Sequence, residues 1–180
     1  MRTSFLGYSA AGLLFSLSLI SQVQAQTAAD LELSVGQAAS SHSDISMHFV
    51  DVRSSVTWLE ITTPSCQMGP GLRAGHMSIL GDDAWRVGGE WLTRCEVTPW
   101  LQVGLPLGLV RLSDHYFLSD DGERYKNVGG PWQFVVGVML SVRVNAHWSL
   151  GVEVSHMSNW NNYDPNPGLN SHHLFVRYAF

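Results

Sequence analysis

The run WQFVVGVMLSVRV, residues 132–144, limits the fold more than any other stretch of the chain. In extended backbone, Trp132, Phe134, Val136, Val138, Leu140, Val142 and Val144 share one face, while Gln133, Gly137, Ser141 and Arg143 share the other. The pattern repeats at once. Trp148, Leu150, Val152 and Val154 oppose Ser149, Gly151, Glu153 and Ser155, and near the end Leu174, Val176, Tyr178 and Phe180 oppose His173 and Arg177. Strands of this kind make either a soluble sandwich, apolar side inward, or a membrane barrel, apolar side toward lipid. Past residue 25 there is no near-continuous apolar run of the roughly 20 residues a membrane helix needs, which excludes a helical membrane protein and leaves the barrel standing.

The start of the chain favours the barrel. Arg2, an apolar stretch from about Ala10 to Ile20 and the small-residue site Val23-Gln24-Ala25 read as a signal peptide, 1–25, with Gln26 as the expected mature start; a retained membrane anchor is the alternative, for which the apolar run is short. Residues 26–180 then suffice for one domain. Low charge (14%), 17 glycines and 7 tryptophans suit many short strands with aromatic rims. Trp91, Trp100, Trp132, Trp148 and Tyr178 lie near strand ends, and the final strand closes on Phe180, an ending similar to that of bacterial outer-membrane barrels. The expected fold is therefore all-β: an eight-stranded antiparallel transmembrane β-barrel of the bacterial outer membrane. Its strands are expected near 31–39, 45–60, 70–80, 84–94, 98–112, 131–144, 147–158 and 171–180.

Eight strands enclose an interior filled by side chains. Glu32, Glu90, Glu153, Arg86, Arg143 and Arg177 are the candidates to neutralise one another there; on a sandwich they would be solvated surface charge. Cys66 and Cys95 either pair, as an oxidising compartment allows, or remain separate thiols. A net charge of −5 without basic clusters argues against nucleic acid as a partner, and no residue grouping calls for a metal or cofactor.

One strand breaks its own pattern. In VEVSHMSNW, His156 and Ser158 have the parity of Val152 and Val154, which puts them on the outer wall rather than in the lumen. Residues i and i+2 on one face lie about 6.6 Å apart at their Cα atoms, close enough for the side chains to meet. With both termini in the periplasm, the seventh strand runs outward and carries the pair to the level of the outer leaflet. There His156 can act as general base for a nucleophilic Ser158 on an acyl ester. Polar residues that merely mark the lipid–water boundary would produce the same local pattern.

The segment SHMSNWNNYDPNPGLNS, about 17 residues, resembles the active-site segment of the lipid A 3-O-deacylase (PagL) family of outer-membrane esterases. The family order of His-x-Ser-Asn, a spacer, Asn-Pro-Gly and an acidic or amide residue reappears as His156, Ser158, Asn159, Asn166, Pro167, Gly168 and Asn170. The resemblance implies a cofactor-free serine esterase that removes the 3-hydroxyacyl chain at position 3 of lipid A, with lipopolysaccharide and the outer membrane as its partners. It implies Ser158 as nucleophile, His156 as base and Asn166 as an oxyanion-stabilising group, with Asn159 and Gly168 shaping or lining the same turn. The family's best-known third member is a glutamate. Here Asn170 stands in its place, able to orient the imidazole but not to balance its charge, and Asp164 is an alternative carboxylate in the same loop. His172 shares the parity of Asn170 and reaches either substrate phosphates or the membrane interface; His173 is expected to face the lumen. The sequence leaves the oligomeric state open, a homodimer included. A non-catalytic barrel and a different lipid-modifying barrel are the competing readings.

Overall fold

In a computed structural model, the structure describes residues 23–24, 28–39, 46–62, 65–119, 122 and 125–180. Eight long strands appear among the described residues: β1 (Ala28–Ala39), β2 (Ser46–Thr57), β3 (Ser65–Ile79), β4 (Asp82–Thr98), β5 (Leu101–Leu112), β6 (Trp132–Arg143), β7 (Trp148–Ser158) and β8 (Leu169–Ala179). Each pairs antiparallel with its neighbours in sequence, and β8 pairs with β1, so the barrel closes and leaves no open edge. The described part of the expected leader, Val23–Gln24, pairs with Ile61 and Glu60 in Leu59–Thr62, a short continuation of β2.

Expected and observed strands differ where local chemistry hides the alternation. β3 and β4 run well beyond 70–80 and 84–94. Gly69, Pro70 and Gly71 interrupt the apolar pattern of β3, yet Pro70 sits where the β2–β3 ladder is already broken at Trp58. The expected strand 98–112 starts instead at Leu101, because Pro99 and Trp100 form the turn out of β4. Between β3 and β4 the chain reverses in two residues, Leu80 (φ 60°) and Gly81 (φ 89°), both left-handed as a tight hairpin turn requires.

The outer wall is apolar: Leu33, Val52, Leu107, Val138, Leu150 and Val152 are all exposed. At the end where β1 begins and β8 finishes, Tyr178 packs edge-on against Trp148 and Phe180, with ring centroids 4.9 Å and 5.1 Å away. Among the described residues no helix is long and apolar enough to cross a membrane.

The lumen divides in two. Through its middle and toward the end where β1 begins, it is ionic. Arg53 donates to Glu32, Glu90 and Glu153, and Arg73 donates to Glu153 at 2.8 Å. Arg86 pairs with Asp51, Arg94 with Asp30 at 2.7 Å, while Arg177 donates to Gln102. Buried charges are costly unless paired or hydrogen-bonded; Arg53, Arg73, Arg86 and Arg94 have carboxylate partners, and Arg177 has the side-chain oxygens of Gln102 and Ser141. Of the six charged residues expected inside, Glu32, Glu90, Glu153, Arg86 and Arg177 are buried. Arg143 is not: as the last residue of β6 its side chain remains over a third exposed and donates to Glu96 at 2.5 Å and to the Pro99 carbonyl. Toward the other mouth the inward residues turn apolar. Met47, Phe49, Met77, Ile79 and Leu112 pack with Phe117, which a short hairpin (Tyr116–Leu118 with Tyr125–Asn127) folds inward from the β5–β6 connection. Cys66 and Cys95, directly opposite on β3 and β4, form a disulfide.

Candidate active site

β7 and β8 bring the site together by register. His156 lies directly opposite Asn170, and both side chains are exposed on the outer wall. His156 Nδ1 and Asn170 Oδ1 are 2.7 Å apart. An amide oxygen only accepts, so Nδ1 carries the proton and the lone pair is left on Nε2, the tautomer a general base needs. Behind this pair the same strands turn Met157 and Leu169 into the apolar mouth of the lumen, which fixes the backbone on which the polar pair stands.

Ser158 is the last residue of β7, on the same face as His156 and opposite Phe134 of β6. Its hydroxyl has no hydrogen bond among the described residues, so Ser158 and His156 share a face without the direct bond of a closed dyad. Such bonds are commonly long in unliganded sites.

The loop 159–168 is organised around Asn159, which is fully buried. Its Nδ2 donates to the carbonyls of Gly129 (2.6 Å), Tyr163 (3.0 Å) and Pro165 (3.1 Å). Its backbone N–H donates to Asn166 Oδ1 at 3.1 Å, and its carbonyl accepts from the backbone N–H of Asn162. Asn159 is thus occupied in holding the loop, and its amide has no hydrogen to spare for substrate. Asn166 is exposed, and its Nδ2 donates to Asn161 Oδ1 at 2.8 Å, which commits one of its two hydrogens. Gly168 adopts φ 60°, and a Cβ there would sit 2.8 Å from His156 Cε1, so glycine both makes the turn and leaves room for the imidazole. Asp164 is exposed and makes no hydrogen bond or ion pair with His156 among the described residues. His172 faces outward, whereas His173 is buried in the lumen beside Ser171 and Asp51.

Sequence reasoning missed the loop's foundations. Gly129 and Gly130 (φ 86° and 91°) allow the β5–β6 connection to pass under the loop, and buried Gln133 donates to both of their carbonyls. Trp160 meets Phe134 edge-on at 5.4 Å beside Ser158. The Gly-Gly pair just before a strand was the one available signal.

A family model described as Lipid A 3-O-deacylase (PagL) matches residues 86–179, more than half of the chain. The fold is similar to the crystal structure of the outer membrane enzyme PagL, at 18% identity and a TM-score of 0.57, covering 81% of this chain and 97% of that one. It is also similar to Ail, the attachment invasion locus protein of Yersinia pestis, at 7% identity and a TM-score of 0.52, covering 87% and 99%. No curated protein matches by sequence. The closed barrel, its apolar outer wall and these likenesses are those of an integral outer-membrane protein.

Proposed function

The chain belongs to the lipid A 3-O-deacylase (PagL) family, and from that premise we propose that it hydrolyses the ester-linked 3-hydroxyacyl chain at position 3 of lipid A, by a serine–histidine mechanism at the outer leaflet. One observation carries the proposal: an outward-facing imidazole, bonded through Nδ1 to Asn170, stands two residues from an outward-facing serine at the end of a membrane strand. In this reading the loop-bearing mouth faces outward, and substrate reaches Ser158 laterally from the lipid.

The ester carbonyl is attacked by Ser158 Oγ as His156 Nε2 takes the hydroxyl proton. The second hydrogen of Asn166 Nδ2 is the donor available to the oxyanion, a type of interaction worth roughly 3 kcal/mol. The tetrahedral adduct collapses when the imidazolium returns its proton to the sugar oxygen, which leaves as the alcohol. Water, deprotonated by the same His156, then releases the 3-hydroxy acid and restores Ser158. Asn170 holds the ring but adds no negative charge to stabilise the imidazolium. The neutral Asn170 and the open Ser158–His156 contact also favour a second reading, a barrel that has lost its activity.

Mass spectrometry of lipid A after incubation with the refolded protein separates the two readings. Loss of one 3-hydroxyacyl chain with wild type but not with Ser158→Ala supports the deacylase and the nucleophile together. Intact lipid A with both proteins, and an untouched detergent-soluble ester, supports the inactive barrel.

A further inference from the structure

The outer wall carries a second polar feature beside the His156–Asn170 pair. Val154, His172, Gln37 and His48 form one cross-strand row over β7, β8, β1 and β2, each directly opposite the next. The row climbs around the tilted barrel. Val154 lies four residues inside the end of β7, and Ser78, which continues the row on β3, lies one residue from the end of its strand. Gln37, His48 and His172 are all exposed, and they border a groove of about 570 Å³ whose other outward lining is apolar, including Val35, Val152 and Leu174. Polar side chains on a lipid-facing wall are unfavourable unless they find partners. These have none of their own among the described residues, and they share the outer face on three adjacent strands.

A groove with amide and imidazole donors along its upper edge and valines below suits an amphiphile with an anionic head. His172 lies two registers from Ser158 along the wall, about 13 Å at 6.6 Å per register, within the reach of a sugar head group whose ester is at the serine. We propose that Gln37, His48 and His172 form a subsite for a phosphate on the head group of the lipid whose ester reaches Ser158. The choice of lipid rests on the deacylase reading; the donor row does not. Neighbouring strands are about 4.8 Å apart, so His172 and Gln37 reach one phosphate from two sides and His48 extends the row to a third oxygen.

Binding tests this without turnover. The Ser158→Ala protein in detergent is titrated with lipid A and with lipid A stripped of its phosphates, and retention is read by native mass spectrometry. The phosphorylated lipid is expected to bind about tenfold more tightly, the effect of one or two hydrogen bonds to a charged group. Adding Gln37→Leu and His48→Leu, outward substitutions compatible with a lipid-facing wall, is expected to abolish that preference. Equal retention of the two lipids, or a preference that persists in the triple variant, overturns the subsite. Hydrolysis by the wild type is scored separately. A phosphate preference without hydrolysis keeps the subsite and rejects the deacylase, and hydrolysis without a preference does the reverse.

Discussion

β7 uses its two faces for opposite purposes. Inward, Glu153 is buried and accepts from Arg53 and Arg73, inside a network of ion pairs that also holds Glu32 and Glu90. Three residues on and outward, His156 is exposed and, among the described residues, holds one side-chain hydrogen bond and stands near a serine with none. The inner face invests polar groups in each other and so in the barrel. The outer face leaves a lone pair and a hydroxyl uncommitted, which is what a reaction needs. If that contrast is right, substitutions on the two faces act on different observables.

The largest effect is expected on the outer face. Ser158→Ala should lower lipid A deacylation by at least about 10⁴-fold, since removal of a nucleophile leaves only what binding and oxyanion stabilisation supply. The heat-modified gel mobility that reports a folded barrel should not change, because the hydroxyl supports no other group among the described residues. Activity retained within tenfold would place the nucleophile elsewhere.

The inner counterpart is Arg53→Met. Three glutamates lose their common partner, and removing one side of a buried ion pair costs about 3–5 kcal/mol. Urea titration of the folded barrel in detergent should show that loss. A variant as stable as wild type would mean that the network's charges are compensated in another way.

This division was only half legible in the sequence. Parity assigns faces, so Glu32, Glu153, Arg177, His156, Ser158 and Asn170 could all be assigned to the inner or outer wall from their spacing alone. Parity says nothing of depth. Met77 and Ile79 share the inward face of β3 with Arg73, yet they line an apolar mouth rather than the ionic middle. Nor does parity pair charges: Arg53 takes Glu32 from the adjacent strand but Glu90 and Glu153 from distant ones, and Asp51 and Asp30 meet Arg86 and Arg94 two strands or more away. Asn159 was legible as a turn residue but not as the loop's buried centre, since the Gly129 carbonyl that fixes it arrives from a different connection.

Asn170→Asp moves the outer face a step toward the inner one, by giving the site a charge. The substitution is isosteric with the amide that now lies 2.7 Å from His156 Nδ1, so the geometry is kept. A charged acceptor strengthens the bond about twofold and stabilises the imidazolium formed during attack. Because the site is exposed, the gain is discounted to about tenfold in kcat, or ~1.4 kcal/mol. Single-turnover deacylation would measure it. A slower Asp variant would show that the amide is the better partner here and that the departure from glutamate is not a defect.

The smallest expected effect is none. The mechanism draws on hydroxyl, imidazole and amide groups alone, and among the described residues no cluster of His, Cys, Asp or Glu is arranged to hold a metal. Deacylation in detergent should therefore survive EDTA, with a rate unchanged within error. Loss of activity restored by calcium would point to a cation bridging protein and lipid. The row formed by His172, Gln37 and His48 offers nitrogen donors and an amide rather than carboxylates, a poor set for calcium. A calcium requirement would thus count against an outer face that works through uncommitted neutral groups, and would move the search for the ligand to carboxylates at the rim.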